Sequence, residues 1–496
     1  MVGRSRAALA LILLFAISLG LRLYPVLVLH FDGLYGQDPY AYYSYGQQVR
    51  EAVARLQLPG MFFWPLGYPA LVALGFTLTG EQPFGPQWVS LIAGAMVSVL
   101  AFLIAAEVAR QTRQSARFAR VAGLVAWAVT AVCGQLIQSS MVIMADAPGL
   151  MWATLSAWSL LVYGRARRSR WIVLSAFALS WATMTRWQYG SLALPWALYV
   201  IFNRPFVFRH AALAVAVGIV TFSPQIAHTL QNPDPLVAHE WLQGWSVSNA
   251  LLRDFVTADG TFHYDQSPAQ YYAQPLYSMY YMSPLLLPFL LIGLALLARH
   301  VALVVILGWS LIQYGFLAGI PYENIRFALA IFPPLAVFVG LGAAWLLINL
   351  QRSATLRWVI VPLSCLLIVY SLLATLRSSG PILTGFVTAK DSDLAAARWI
   401  EQRIPEPDAT VYCLDLLLTM QHYTALHPVQ IYQMTTATLS AQLQQTRPRY
   451  AVFNVWTTEH QWRGESPWAI YHWLLDHPGL SEIGTFGSYT LYRIRP

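Results

Sequence analysis

The stretch Leu34-Tyr-Gly-Gln-Asp-Pro-Tyr-Ala-Tyr-Tyr43 comes directly after an apolar run over residues 7–29. That run exceeds the roughly 20 residues a helix needs to cross a bilayer, and Arg4 and Arg6 precede it. It is too long for a cleaved signal peptide, and many more apolar runs follow, so it reads as an uncleaved first helix. Asp38 is then expected just past that helix, at the membrane surface. A carboxylate there can serve chemistry between a water-soluble and a lipid-borne reactant. The alternative is a turn residue ahead of Pro39.

The rest of the chain extends this reading. Of 496 residues, 57% are hydrophobic and only 10% charged, too few charges to cover a soluble protein of this size. The sequence is that of a polytopic α-helical membrane protein. Candidate spans lie at about 7–29, 87–108, 119–137, 147–164, 171–186, 187–203, 210–229, 283–298, 301–319, 327–349 and 357–377, about eleven transmembrane helices. Arg4/Arg6, Arg110/Arg113/Arg117/Arg120, Arg165/Arg167/Arg168/Arg170, Arg204/Arg209, Arg299 and Arg352/Arg357 then all fall on one side. By the positive-inside rule that side, with the N-terminus, is the cytoplasm. The net charge of +8 is therefore a topology signal, and no nucleic-acid partner is expected. Cys133, Cys365 and Cys413 are scattered and suggest neither a disulfide framework nor a metal site.

Three large segments are left outside. A loop over about 30–86 contains Trp64-Pro-Leu-Gly-Tyr-Pro69 and the stretch 70–79, which is too short to span and reads as an interfacial or re-entrant helix. A loop over about 231–282 is rich in Tyr, Trp and His, either an interfacial aromatic belt or a surface that grips a sugar or lipid. Residues 378–496 have the composition of a soluble domain, leaving 1–377 as the membrane domain. Helical spacing over 393–403, strands at 410–414, 450–455 and 490–494, and helices at 439–445 and 468–475 predict a small extracytoplasmic α/β layer. It carries no glycine-rich phosphate loop and reads as a structural or acceptor-docking module.

Ionisable groups collect at the outer ends of the spans: Arg22, Asp32, Asp38, Asp146 in Met141-Val-Ile-Met-Ala-Asp-Ala-Pro148, Arg186 in Thr185-Arg-Trp-Gln188, and Glu323 and Arg326 in Pro321-Tyr-Glu-Asn-Ile-Arg-Phe327. Charges beside hydrocarbon cost several kcal/mol, which makes each a functional candidate. Each also has a plain structural alternative: a helix N-cap for Asp146, snorkelling anchors for Arg22, Arg186 and Arg326, and loop solvation for Asp32. Taken together they suit one chemistry. Arginines hold a phosphate through bidentate hydrogen bonds, and a nearby carboxylate takes a proton from an acceptor hydroxyl. A sugar on a lipid phosphate has a good leaving group, so one base attacking from the opposite face gives inversion.

The order of these motifs resembles the GT-C-fold glycosyltransferases, the polyprenyl-phosphate-sugar-dependent enzymes that include the protein mannosyltransferases and the lipid A aminoarabinose transferases. Leu21-Arg22-Leu23 and then Asp38-Pro39-Tyr40 match an arginine late in the first helix and an Asp-x-Tyr in the first outer loop. Trp64–Pro69, Met144–Pro148, Thr185-Arg186 and Glu323–Arg326 followed by Phe332-Pro-Pro334 match the later motifs. The resemblance covers about residues 7–350, and the trailing domain is similar to the outer domains of many members. It implies Asp38 as catalytic base, Asp146 as a second acidic group, and Arg186 and Arg326, with Arg22, as donor-phosphate contacts. Glu323 and Tyr40 are left as acceptor or metal contacts. Many relatives carry an acidic residue directly after the first-loop Asp, where this chain has Pro39, so a paired-carboxylate metal site is in doubt. A divalent cation, magnesium or manganese, would need Asp38, Asp146 and Glu323 to converge.

The expected activity is an inverting transfer of a sugar from a polyprenyl-phosphate donor in the cytoplasmic membrane to an extracytoplasmic acceptor. Its rivals are a transporter or flippase of lipid-linked sugars, which favours internal repeats and midplane charges, and a non-catalytic envelope scaffold. Partners beyond the donor and acceptor are the surrounding membrane lipids.

Overall fold

The computed structural model describes residues 2–231, 243–257, 260–348, 354–406, 409–444 and 448–495. It divides into two compact units. One holds Met1–Leu251 with Ser267–Thr384, and the other holds Leu252–Gln266 with Gly385–Pro496.

The first unit is helical. Helix α1 spans Val2–Leu27, α2 Gln37–Ala54, α3 Gly67–Thr79, α4 Phe84–Gln111, α5 Ala116–Ala131 and α6 Gly134–Met141. Helix α7 spans Asp146–Ala166, α8 Ser169–Thr185, α9 Ala193–Phe202 and α10 Phe208–Gln231. Apolar helices at Leu287–Leu297, Ala302–Ala318 and Phe332–Ile348 follow, then the long Ala354–Arg403, within which the two units divide. Among the described residues, five helices are long and apolar enough to cross a membrane: Arg6–Leu27, Phe84–Gln111, Phe208–Gln231, Ile325–Ile348 and Arg357–Arg403. The pair α5 and α6, bent by 60°, makes a sixth. The expected count of about eleven is not reached by length and composition. The stretch 187–203, read as one span, is a 3-10 turn Trp187–Leu192 followed by the ten-residue α9.

Helix α4 is the axis of this unit. Its buried residues contact α5, α7 and Phe332–Ile348 on different sides, as a helix that is apolar all round must. At its C-terminal end the fully buried Glu107 is clamped by two arginines. Arg165 donates through Nε (2.5 Å) and Nη2 (3.2 Å), and Arg110 through Nη1 (3.2 Å). The expected outer loop is largely helical. Helix α2 carries Asp38 in its first turn and buries Pro39, Tyr40, Tyr42, Tyr43, Tyr45 and Val49. Helix α3 takes the place of the short helix expected at 70–79.

The second unit is an α/β layer. Strands β3 (Thr410–Cys413), β4 (His427–Gln430), β5 (Arg449–Asn454), β6 (Leu480–Phe486) and β7 (Tyr489–Ile494) form one sheet in the order β4-β3-β5-β7-β6. The β3 strand is parallel to β4 and β5, while β7 is antiparallel to β5 and β6. Two-residue alternation gives each face its own core. Val411, Cys413, Tyr450 and Val452 pack with Ala397 and Ile400, and Tyr412, Ala451 and Phe453 pack with Leu439, Ile470 and Leu474. The edge strands β4 and β6 were absent from the sequence reading. So was the antiparallel hairpin of β1 (Asp254–Thr257) and β2 (Gly260–His263) from the expected 231–282 loop. Residues 232–242 of that loop lie outside the described residues.

Candidate active site

The first unit brings together four charged side chains from four separate segments. Asp38 stands in the first turn of α2 and Asp146 in the first turn of α7. Arg186 follows α8 in extended conformation, where the helix breaks into the 3-10 turn Trp187–Leu192. Arg326 lies in the 3-10 helix Ile325–Ile331, which Asn324 caps by accepting from the Arg326 backbone N–H. Arg186 Nη2 donates to Asp146 Oδ1 (2.7 Å), and Arg326 Nη2 donates to Asp38 Oδ2 (2.6 Å). Arg326 Nε faces Asp146 Oδ2 across 4.0 Å. The ring of Phe327 lies near both guanidiniums, 5.4 Å from that of Arg186 and 5.3 Å from that of Arg326. Trp64 lies 5.5 Å from the Arg186 guanidinium.

The two pairs differ in depth. The Arg186–Asp146 side chains are 6% and 7% exposed, whereas those of Arg326 and Asp38 are 19% and 16% exposed. Asp38 is thus the carboxylate a hydroxylic reactant can reach. Neither acid is explained as a helix cap, for neither makes a side-chain capping bond. Nor does Arg186 snorkel, since it is buried within the cluster.

Four buried polar atoms here have no hydrogen-bond partner: Asp146 Oδ2, Arg186 Nε, Arg326 Nε and Tyr42 Oη. Buried polar atoms are nearly always paired, so such a concentration needs an explanation. Tyr42 is four residues past Asp38 on α2, fully buried, with its ring edge-on to Tyr68 at 4.9 Å. Burial, opposed by Arg186, pushes its hydroxyl above a tyrosine's ordinary range, so it stays protonated and able to donate. The set offers three donors and one carboxylate acceptor. That is the complement of a phosphate whose neighbour carries a hydroxyl.

The frame around these groups is built from neutral residues. Gln87 of α4 donates through Nε2 to Phe31 O (3.0 Å) and to Met141 O (2.8 Å). One amide thereby ties the chain that enters α2 to the chain that enters α7. Ile143 N donates to Gly33 O (3.0 Å), and Gly33 has φ +91, with Ile143 2.9 Å from where a Cβ would stand. One turn along α4, Ser90 Oγ donates to Met144 O (3.2 Å) and meets Tyr68 Oη at 2.9 Å. At Gly67 a Cβ would fall 2.7 Å from the Met184 backbone, so the start of α3 packs against the end of α8 just before Arg186. Sequence reasoning missed Gln87, Ser90 and Tyr42.

The remaining candidates stand elsewhere. Arg22 is fully buried, but it donates to Ser18 O (2.8 Å), Ser140 Oγ (3.3 Å) and Ser98 Oγ (3.4 Å), pinning α1 to α6 and α4 and touching none of the four charged groups. Asp32 accepts from Leu34 N (3.0 Å) within its own loop. Tyr40 is buried on α2, and Glu323 lies in the turn ahead of Arg326. Among the described residues no three His, Cys, Asp or Glu side chains group as a metal site. Asp38 and Asp146 each carry an arginine instead, a donor set that does not fit a divalent cation.

Residues 64–228 match the family model described as dolichyl-phosphate-mannose-protein mannosyltransferase. The match takes in Asp146 and Arg186 but neither Asp38 nor Arg326. No curated protein matches by sequence. Among solved structures, ArnT from Cupriavidus metallidurans bound to undecaprenyl phosphate is similar over 97% of this chain and 97% of its own, with TM-score 0.61 and 16% identity. This chain has the GT-C fold. Apo ArnT from the same organism gives TM-score 0.61 at 16% identity over 98% of each chain. The Archaeoglobus fulgidus oligosaccharyltransferase, solved in complex with zinc and sulfate, gives 0.53 at 11% identity, over 96% of this chain and 72% of its own. The acid cluster lies at the ends of α7 and α8 remote from the arginine-rich loop 165–170.

Proposed function

We propose that this protein is an inverting glycosyltransferase that moves a sugar from a polyprenyl-phosphate donor to an acceptor outside the cytoplasm. It would sit in the cytoplasmic membrane with its N-terminus inside and residues 378–496 outside. The fold shared with an undecaprenyl-phosphate-bound transferase supports the donor class. The observation that carries the reading is the convergence of Asp38, Asp146, Arg186 and Arg326 with four buried polar atoms left unpaired.

In this mechanism the donor phosphate takes hydrogen bonds from Arg186, Arg326 and Tyr42. Arg326 exchanges its Asp38 contact for a phosphate oxygen, which releases the Oδ2 lone pair it occupies at 2.6 Å. Asp38 then accepts the proton of the acceptor hydroxyl as that oxygen bonds to the anomeric carbon. The bond from the anomeric carbon to the phosphate oxygen breaks, its electron pair leaves on the polyprenyl phosphate, and a single displacement inverts the configuration. Asp146 holds Arg186 in place, and preorganised guanidiniums stabilise the leaving charge. Glu323 and Tyr40, on the same turns as Arg326 and Asp38, are the candidate acceptor contacts.

The test is release of undecaprenyl phosphate from a panel of undecaprenyl-phosphate hexoses and pentoses in proteoliposomes containing membrane extract as acceptor. Release by the wild-type protein and its loss in Asp38→Asn supports the reading. Equal release by both proteins would remove Asp38 as base. Failure of the wild-type protein to bind undecaprenyl phosphate would remove the donor class.

A further inference from the structure

Away from the acid cluster, α8, α9 and α10, with Leu160 of α7, line a half-open cavity of about 370 Å³, within the range of real ligand sites. Its wall is almost wholly apolar, with Leu179, Trp196, Val200, Phe206 and Val215 contributing the larger side chains. The polar groups on the wall are already engaged. Ser175 Oγ donates to Ser156 O (2.9 Å), Ser180 Oγ to Gly218 O (3.2 Å), and Trp196 Nε1 to Ser156 Oγ (2.8 Å). The cavity offers nothing to a sugar or to water, and its complement is hydrocarbon.

One end of the cavity is strongly basic. Phe206 on the wall belongs to the loop that carries Arg204, and Arg209 opens α10 beside it. Arg168 and Arg170 flank the start of α8, and all four arginines are exposed. Arg167 is committed to holding the loop, donating to Asn203 Oδ1 (2.9 Å) and Arg204 O (2.6 Å). Between Glu107 and Asp234 the sequence has one acid, Asp146. It lies at the far end of the 21-residue α7, about 30 Å away. No carboxylate among the described residues pairs with these four guanidiniums.

We propose that this cavity binds one acyl chain of an anionic membrane phospholipid, with the lipid phosphate on Arg204, Arg209 and Arg168. The charge of the mouth and the dryness of the wall select this occupant together. The site also reaches the candidate active site through α10, whose buried side chains are Gln225 and His228 at its other end. Gln225 Oε1 accepts from Leu66 N (2.8 Å), and His228 Nε2 lies 3.0 Å from Gly60 O. Between those two anchor points is Trp64, the ring beneath Arg186. Filling the cavity steadies α10 and, through it, the segment that carries Trp64.

The test is native mass spectrometry of the full-length protein titrated with palmitoyl-oleoyl phosphatidylglycerol or the matching phosphatidylcholine. Hydrogen exchange over residues 60–66 in nanodiscs of either lipid is the second readout. One saturable phosphatidylglycerol is expected, with slower exchange at 60–66 in phosphatidylglycerol. Each guanidinium at an anionic headgroup is worth about fivefold in affinity, so Arg204→Gln with Arg209→Gln lowers phosphatidylglycerol affinity about 25-fold. Ala214→Phe, which fills the cavity, abolishes the bound lipid and the difference in exchange. Equal binding of both lipids overturns the proposal, as does unchanged binding by the paired-arginine variant. Displacement of the bound lipid by undecaprenyl phosphate alone would reassign the cavity to the donor tail.

Discussion

Arg326 donates to Asp38 Oδ2 at 2.6 Å while its Nε faces Asp146 Oδ2 at 4.0 Å. One guanidinium thus bridges the two acid-bearing segments, close-bonded to the more exposed acid and held off the buried one. A phosphate entering the cluster meets an arginine that can turn from Asp38 without losing all carboxylate contact. Asp38 is freed by the same event that installs the leaving group.

Replacing the base separates binding from chemistry. Asp38→Asn keeps the size of the side chain and leaves an acceptor oxygen for Arg326, so the fold and donor affinity should persist. Turnover should fall by about 10²–10⁴-fold, the usual worth of a positioned general base. Donor affinity by calorimetry and single-turnover release of undecaprenyl phosphate measure the two effects; a variant with wild-type turnover contradicts the assignment.

Arg326 should act mainly through the donor. Charge-assisted hydrogen bonds contribute about 1.5–3 kcal/mol, so Arg326→Ala weakens donor affinity by roughly 10–150-fold. Arg326→Lys keeps the charge but not the fork that serves Asp38 and a phosphate together, and should recover only part of the loss. An unchanged donor Kd in Arg326→Ala would exclude the phosphate role.

Gln87 carries a prediction that a purely structural role would not share. Gln87→Met preserves length and removes the donor that Phe31 O and Met141 O share, costing about 1–3 kcal/mol. It also unties the segments leading to Asp38 and Asp146. A shift of about 1 Å between catalytic groups costs on the order of 100-fold in rate, so kcat should fall much further than donor affinity. A parallel loss of both, tracking the drop in thermal midpoint, would reduce Gln87 to a stabilising residue.

The balance between what was legible and what was not follows from the same residues. Asp38, Asp146, Arg186 and Arg326 stood out because charge beside apolar runs is costly and rare. The structure joins them, whereas it gives Arg22, chosen on the same ground, two serine hydroxyls and the Ser18 carbonyl instead. Gln87 and Ser90 were invisible because a neutral side chain inside an apolar helix leaves no mark in composition, and the backbone carbonyls they bond are more than 50 residues away. Helix α2 was read as loop because its buried face is built of tyrosines rather than aliphatic residues. In the second unit the central strands β3, β5 and β7 were readable from their aliphatic, aromatic and β-branched residues, most of them buried. The edge strands β4 and β6 were not, since none of their residues is buried.

The clamp on Glu107 predicts an asymmetry between Glu107 and its partners. Its carboxylate is fully buried, while Arg165 and Arg110 are about half exposed. Arg165→Ala strands a buried charge on one remaining partner and should cost about 1–3 kcal/mol. Glu107→Gln releases two arginines that water can solvate and should cost less. Thermal unfolding followed by size-exclusion chromatography orders the two, and a larger loss in Glu107→Gln would contradict the burial argument.

Tyr42 gives the sharpest separation of stability from function. Its hydroxyl is buried without a partner in the free protein, and such a group destabilises the state that holds it. Tyr42→Phe removes the hydroxyl and keeps the ring against Tyr68 and Phe62. Without donor, the variant should therefore be as stable as the wild type or more so, by up to about 1 kcal/mol. With donor bound, the wild-type hydroxyl gains a phosphate oxygen and the variant does not, so donor affinity should fall about tenfold. The thermal shift on adding undecaprenyl phosphate reads both at once: the variant starts level or higher and gains less. A variant that starts lower and gains as much would place the hydroxyl in the fold and out of the donor site.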